Sequence, residues 1–208
     1  MADAISAPTL VTSAIALFTI TNPIGSLPIF LNVTKDRTAA QQRRTGLWVG
    51  LAVIAVLAVS LVAGTYILQA FGIDITSFKI AGNLLVATIG WAMLTAKNNV
   101  VAVTDDQSPV VVPLAIPVIA GPGAISLVIT FAHSYTAALD YVSGILIIVA
   151  VGIVISVVLY FGPELAKLVK PTGMSILTRV FGLLLLAIAI QSILSALGDA
   201  FPVLTRAA

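Results

Sequence analysis

Apolar residues run along this chain in long stretches, divided by short clusters of charge, with no alternation of polar and apolar positions. Residues 144–162 contain no charged side chain at all. A helix needs about 20 residues to cross a hydrocarbon core of roughly 30 Å. The missing period-two alternation excludes a membrane β-barrel, which leaves helices as the way to satisfy the backbone in lipid. Six spans are expected, at residues 8–33, 46–70, 76–96, 110–131, 141–161 and 178–200. The fold class is all-α and polytopic. Asp3 and the absence of Lys or Arg before the first apolar run do not match the basic start of a cleaved signal, so the first helix is expected to be retained.

Composition reinforces this reading. The 208 residues are 60% hydrophobic and 9% charged, with a mean hydropathy of +1.15, whereas soluble domains carry about 25% charged residues. A water-soluble fold is excluded. Basic residues concentrate in cytoplasmic loops; here Lys35, Arg37, Arg43 and Arg44 follow the first span, Lys97 the third, and Lys167, Lys170 and Arg179 the fifth, against Lys79 and Arg206 on the other side. Both termini are therefore expected outside a bacterial inner membrane. The sequence pI of 9.1 follows from topology and implies no nucleic-acid partner. With no cysteine, disulfides and thiolate chemistry are ruled out.

An offset of 100 residues aligns the third and sixth spans: Lys79 with Arg179, Gly82 with Gly182, Leu84 and Leu85 with Leu184 and Leu185, Ala87 with Ala187, Leu94 with Leu194. The expected organisation is a first three-helix repeat at 1–96, a cytoplasmic linker at 97–109 and a second repeat at 110–208. Three helices per half invert the second half relative to the first. Inverted repeats are a common construction of secondary transporters, with substrate held near the midplane between the halves.

The first span contains NPIGSLP at 22–28 and the fourth IAGPGAIS at 119–126, at corresponding places. Proline removes a backbone donor and glycine relaxes the backbone, so each motif should break its helix. Residues 8–33 span 26 positions, about 39 Å as a helix, which is longer than a straight crossing requires. A break inside the membrane needs polar surroundings for its free backbone groups. It also exposes a positive half-helix N-terminus, near Gly25 and near Gly123, that suits an anion. The half-helices ending near Thr21 and Ala120 offer carbonyls to a cation. Asn22, Pro23, Gly25, Ser26, Gly121, Pro122, Gly123 and Ser126 thus form the expected substrate site, matched to a small zwitterion. Ser26 and Ser126 either bind a carboxylate or back-bond to their own helices. Pro28, Pro113 and Pro117 are read as kinks.

These two motifs and the six-span pattern resemble the MarC family of bacterial membrane proteins over essentially the whole length. The resemblance implies an inner-membrane protein from a family that includes transporters of small neutral amino acids such as alanine and glycine. It implies no cofactor and no drug-efflux role.

Other polar positions change little. Asn83, Thr88 and Gln191 lie within spans, as pocket lining or as hydrogen-bonding contacts between helices. His133 lies near a span end. Gly46 and Gly50 have the spacing of a helix-packing face, within one chain or in a homo-oligomer. Asp105 and Asp106 belong to the linker and suggest no metal site. An intramembrane enzyme would need a nucleophile with its base at depth, and the sole histidine is poorly placed for that. No ATP-binding loop is present. Asp74, Asp140, Glu164 and Asp199 lie near span ends, so the coupling ion stays open. The expected function is secondary transport of a small neutral amino acid through lipid-embedded helices. The alternatives are a non-transporting membrane assembly or accessory protein, or efflux of another small solute.

Overall fold

The structure is a computed structural model that describes residues 7–95, 115–116, 118–168 and 171–201. Eight α-helices are found among them: α1 (Ala7–Thr21), α2 (Pro23–Val33), α3 (Ala39–Ala70), α4 (Ile75–Thr95), α5 (Pro122–Ser134), α6 (Ala138–Tyr160), α7 (Gly162–Leu168) and α8 (Pro171–Ala200). Five segments are long and apolar enough to cross a membrane: Leu10–Val33, Ala39–Ala70, Ile75–Thr95, Ala138–Tyr160 and Ser175–Ala200. The shorter apolar helix Pro122–Ser134 belongs to the remaining expected span, 110–131, which begins outside the described residues. The linker 97–109 with Asp105 and Asp106, and the kinks expected at Pro113 and Pro117, also lie outside them.

Several helix ends differ from the hydropathy boundaries. Helix α3 starts at Ala39, seven residues before the expected 46, because Thr38 and Gln41 form a capping box. Thr38 Oγ1 accepts from Gln41 N at 3.3 Å and Gln41 Oε1 accepts from Thr38 N at 2.9 Å. Arg43 and Arg44 therefore belong to the first turns of a helix instead of a loop. Helix α6 begins at Ala138, where the buried Asp140 carboxylate accepts from Thr136 N and Ala137 N, both at 2.9 Å. Helix α8 starts at Pro171, ahead of the expected 178.

At the centre α3 packs along α6. Val49, Val53, Leu57 and Leu61 of α3 meet the same core as Ile148, Ile155 and Leu159 of α6, all buried. Lipid tails are as apolar as leucine, so helices in a membrane gain from close backbone approach more than from hydrophobic burial. Here a Cβ on Gly50 would lie 2.9 Å from the Gly152 carbonyl oxygen, and one on Gly46 3.0 Å from the backbone of Leu159. The Gly46/Gly50 face thus packs inside the chain, against α6. A second close crossing joins α4 to α8, where a Cβ on Gly90 would lie 2.9 Å from the Gly182 carbonyl oxygen. Helix α5 packs on α3 and α4, α1 on α5 and α6, and α2 on α6, α7 and α8.

Among the described residues, two ion pairs tie different parts of the chain together. Arg43 of α3 bonds Glu164 of α7, with its guanidinium 5.4 Å from the Tyr160 ring centroid. Lys79 of α4 lies 4.0 Å from Asp199 of α8.

Candidate functional site at two helix breaks

The first break is one residue wide. Asn22 joins α1 to α2 with φ 39° and ψ 63°, the left-handed conformation that asparagine tolerates better than most residues. The turn is closed on both sides. Asn22 N donates to Phe18 O at 3.1 Å, Ser26 N donates to Asn22 O at 3.1 Å, and Gly25 N donates to the Asn22 side-chain oxygen at 3.1 Å. Pro23 at the first helical position has no N–H to offer Thr19 O, and the Gly25 N–H that would reach Thr21 O is taken by Asn22. The carbonyl end of α1 is therefore open while the amide end of α2 is largely capped. Gly25 is required here by space: a Cβ would fall 2.2 Å from Asn22 Nδ2.

The second break is built differently from similar letters. Ala120 N donates to Ala115 O at 2.8 Å, a five-residue π-type closure. Gly121 then runs extended at φ −73°, ψ 173°, and α5 begins at Pro122 with no side-chain cap. Ile125 N donates to Gly121 O at 2.9 Å. Among the described residues the N–H groups of Gly123 and Ala124 make no hydrogen bond, and Ala124 is 2% exposed. Uncapped, buried amides at a helix start carry partial positive charge. They can accept a carboxylate without any basic side chain.

Both serines back-bond. Ser26 Oγ donates to Pro23 O at 2.8 Å, and Ser126 Oγ donates to Pro122 O. Each hydroxyl proton is thus committed to the carbonyl of the proline that opens its own helix.

The breaks meet through residues that the motifs do not include. A Cβ on Gly123 would lie 3.0 Å from Ile20 Cδ1, so the last turn of α1 covers the open end of α5. On the other side a Cβ on Gly82 would lie 1.8 Å from Pro122 Cγ, which seats the Pro122 ring on the bare backbone of α4. Gly82 stood out in the sequence only through its alignment with Gly182, and nothing marked Ile20. All eight expected site residues are described, in two adjacent turns. Thr21, Ser26 and Ser126 are buried. Between α1, α3, α5 and α6 lies a narrow apolar crevice too small to hold a water molecule, bordered by Leu17, Leu61, Val128, Tyr135 and Ile148.

The remaining in-span polar groups mostly look inward to their own helices. Asn83 Nδ2 donates to Lys79 O at 2.8 Å, Thr88 Oγ1 donates to Leu85 O at 2.7 Å, and His133 Nδ1 lies 2.9 Å from Ile129 O.

Comparison with known proteins decides the family. The model described as "MarC family integral membrane protein" matches residues 7–201. The chain belongs to the MarC family. The UPF0056 membrane protein YhcE of Escherichia coli K12 is 38% identical over 199 residues, covering 90% of this chain and 91% of that protein. The UPF0056 membrane protein YvbG of Bacillus subtilis is 32% identical over 92% of this chain and 95% of its own length. The UPF0056 inner membrane protein MarC of Citrobacter koseri is 30% identical over 87% and 90% respectively. No solved structure matches the chain. Family membership and the apolar helices make the chain an integral membrane protein.

Proposed function

We propose that this protein is a secondary transporter of small neutral amino acids such as alanine or glycine, held as zwitterions between the two breaks, in export or exchange across the inner membrane. The observation that carries the reading is the pairing of opposite open ends. Helix α1 ends in carbonyls with no partner across the break, while α5 starts with the free amides of Gly123 and Ala124. An ammonium group fits the first and a carboxylate the second. No charged side chain has to be buried beside them. With Ile20 over Gly123 the site is shut, so loading requires the end of α1 to move away from α5.

The proposal includes two inverted halves, 1–96 and 110–208, with both termini outside. Helix packing supports it. When the first span is exchanged with the fourth (α2 with α5), α3 with α6 and α4 with α8, the contacts map onto one another: α3 on α5 becomes α6 on α2, and α4 on α5 becomes α8 on α2.

The test is counterflow of labelled alanine and glycine in liposomes that contain the purified protein, with Gly123→Leu as the control. Saturable exchange that Gly123→Leu abolishes supports the site. Absence of exchange for every small neutral amino acid, with the protein folded, removes the substrate assignment.

A further inference from the structure

Gln191 lies where a polar side chain is costly. On α8 it is 12 residues from Arg179 and 8 from Asp199, or about 18 Å and about 12 Å along the helix. Those charges bracket roughly one hydrocarbon thickness, so Gln191 sits near its middle. It is exposed on the outside of the bundle, and its side chain makes no hydrogen bond among the described residues. The same is true of Ser195, one turn further on. Other exposed in-span hydroxyls behave differently: Thr19, Thr88 and Thr130 each donate to a carbonyl of their own helix, at 2.7, 2.7 and 2.8 Å. A free amide facing lipid loses the hydrogen bonds it would have in water, and a partner helix restores them.

We propose that Leu184, Ile188, Gln191 and Ser195 form a seam through which two copies of this chain associate, α8 against α8. The alternating spacing of four, three and four residues is that of successive d and a positions in a heptad pattern, the seam of a left-handed helix pair. Leu184 and Ile188 are 47% and 39% exposed, so the seam is not used within the chain. Helix α8 is also the span most open to the outside, with 17% of its most apolar window buried. The chemistry selects the partner. A carboxamide is both donor and acceptor, so it is complementary to itself. Two copies inserted in the same direction present parallel α8 helices, and a twofold axis along the membrane normal brings Gln191 to the Gln191 of the second copy. Lipid offers no hydrogen-bonding group at that depth.

The chain contains no cysteine, which makes single-cysteine cross-linking in native membranes a clean test. With Ile188→Cys or Ser195→Cys, mild oxidation should give a band at twice the monomer mass. Position 190, where Ile190 is more exposed than Ile188 (47% against 39%), lies on the far side of the helix, and Ile190→Cys should not cross-link. Gln191→Leu adds only apolar surface toward lipid, so it should fold normally while weakening dimerisation in lipid about 3- to 10-fold; Gln191→Asn, which keeps an amide, should recover part of the loss. Cross-linking of equal yield at 188, 190 and 195 would overturn the seam, as would a monomer-only population or dimerisation unchanged by Gln191→Leu.

Discussion

At the first break Asn22 turns its own side chain back onto Gly25 N and closes the start of α2 from within. At the second, Gly121 has no side chain to do this, and the start of α5 is held from outside, by Ile20 over Gly123 and Gly82 beneath Pro122. The two sites share a proline opening a helix and a serine back-bonded to that proline. They differ in the cap and in the backbone of the joining residue, left-handed at Asn22 and extended at Gly121, and without a cap the Gly123 and Ala124 amides stay free at the second. In the proposed site, the amide and carbonyl ends that the motifs suggested at both breaks reduce to an ordered pair: carbonyls from one break and amides from the other. An oriented zwitterion needs that arrangement, since both its ends must be recognised by groups of opposite polarity.

The contrast predicts unequal responses to substitution. The largest concerns the external support of the second break. In Gly82→Leu the Cβ alone would overlap the Pro122 ring, so stability should fall by roughly 3 kcal/mol, measured by reversible unfolding in mixed detergent and SDS micelles. The first break is held by its own side-chain cap. There the vulnerable residue is Asn22: Asn22→Ala loses the cap, about 1 kcal/mol, and forces alanine into the left-handed region at a cost of about 1 kcal/mol more. Asn22→Gly should recover most of that second part in the same assay. If Asn22→Ala proved neutral, the first break would not be self-supporting.

A smaller effect sharpens the comparison most. Gly121→Ser offers α5 the cap that Asn22 gives α2, and Gly121→Ala fills the same space without a hydroxyl. The serine variant should be about 1 kcal/mol more stable than the alanine variant and should bind substrate more weakly, because the cap competes for the same amides. Equal stability of the two would mean that those amides are not available.

The smallest effect lies at the ion pair between α3 and α7. Arg43 donates to Glu164 and holds that carboxyl below its ordinary range. A depressed folded-state pKa contributes stability that is complete above the ordinary carboxylate value and is lost as pH falls through the folded one. Thermal stability should therefore stay level from neutral pH toward pH 5 and then decline, and Glu164→Gln should flatten the acid decline.

The spans were legible because residues such as 144–162 admit no other structure in lipid, and the break positions because Asn-Pro and Gly-Pro-Gly interrupt a helix wherever they occur. The early start of α3 was also written in the chain, as Thr38 and Gln41 three residues apart, but hydropathy puts the boundary where charge ends, and capped helices extend past it. The asymmetry of the breaks was partly legible: Asn22 can cap and Gly121 cannot. What the motifs could not show is the role of Ile20 and Gly82, since both act through helix packing between residues far apart in sequence.

Equilibrium binding to the purified protein tests the oriented-zwitterion claim most directly, with alanine compared against ethylamine and propionate, which each lack one charged end. The account predicts saturable binding of alanine, with both single-ended analogues much weaker and Gly121→Ser weakening alanine relative to Gly121→Ala. Equal affinity for all three ligands, or no saturable binding of alanine to folded protein, would contradict it.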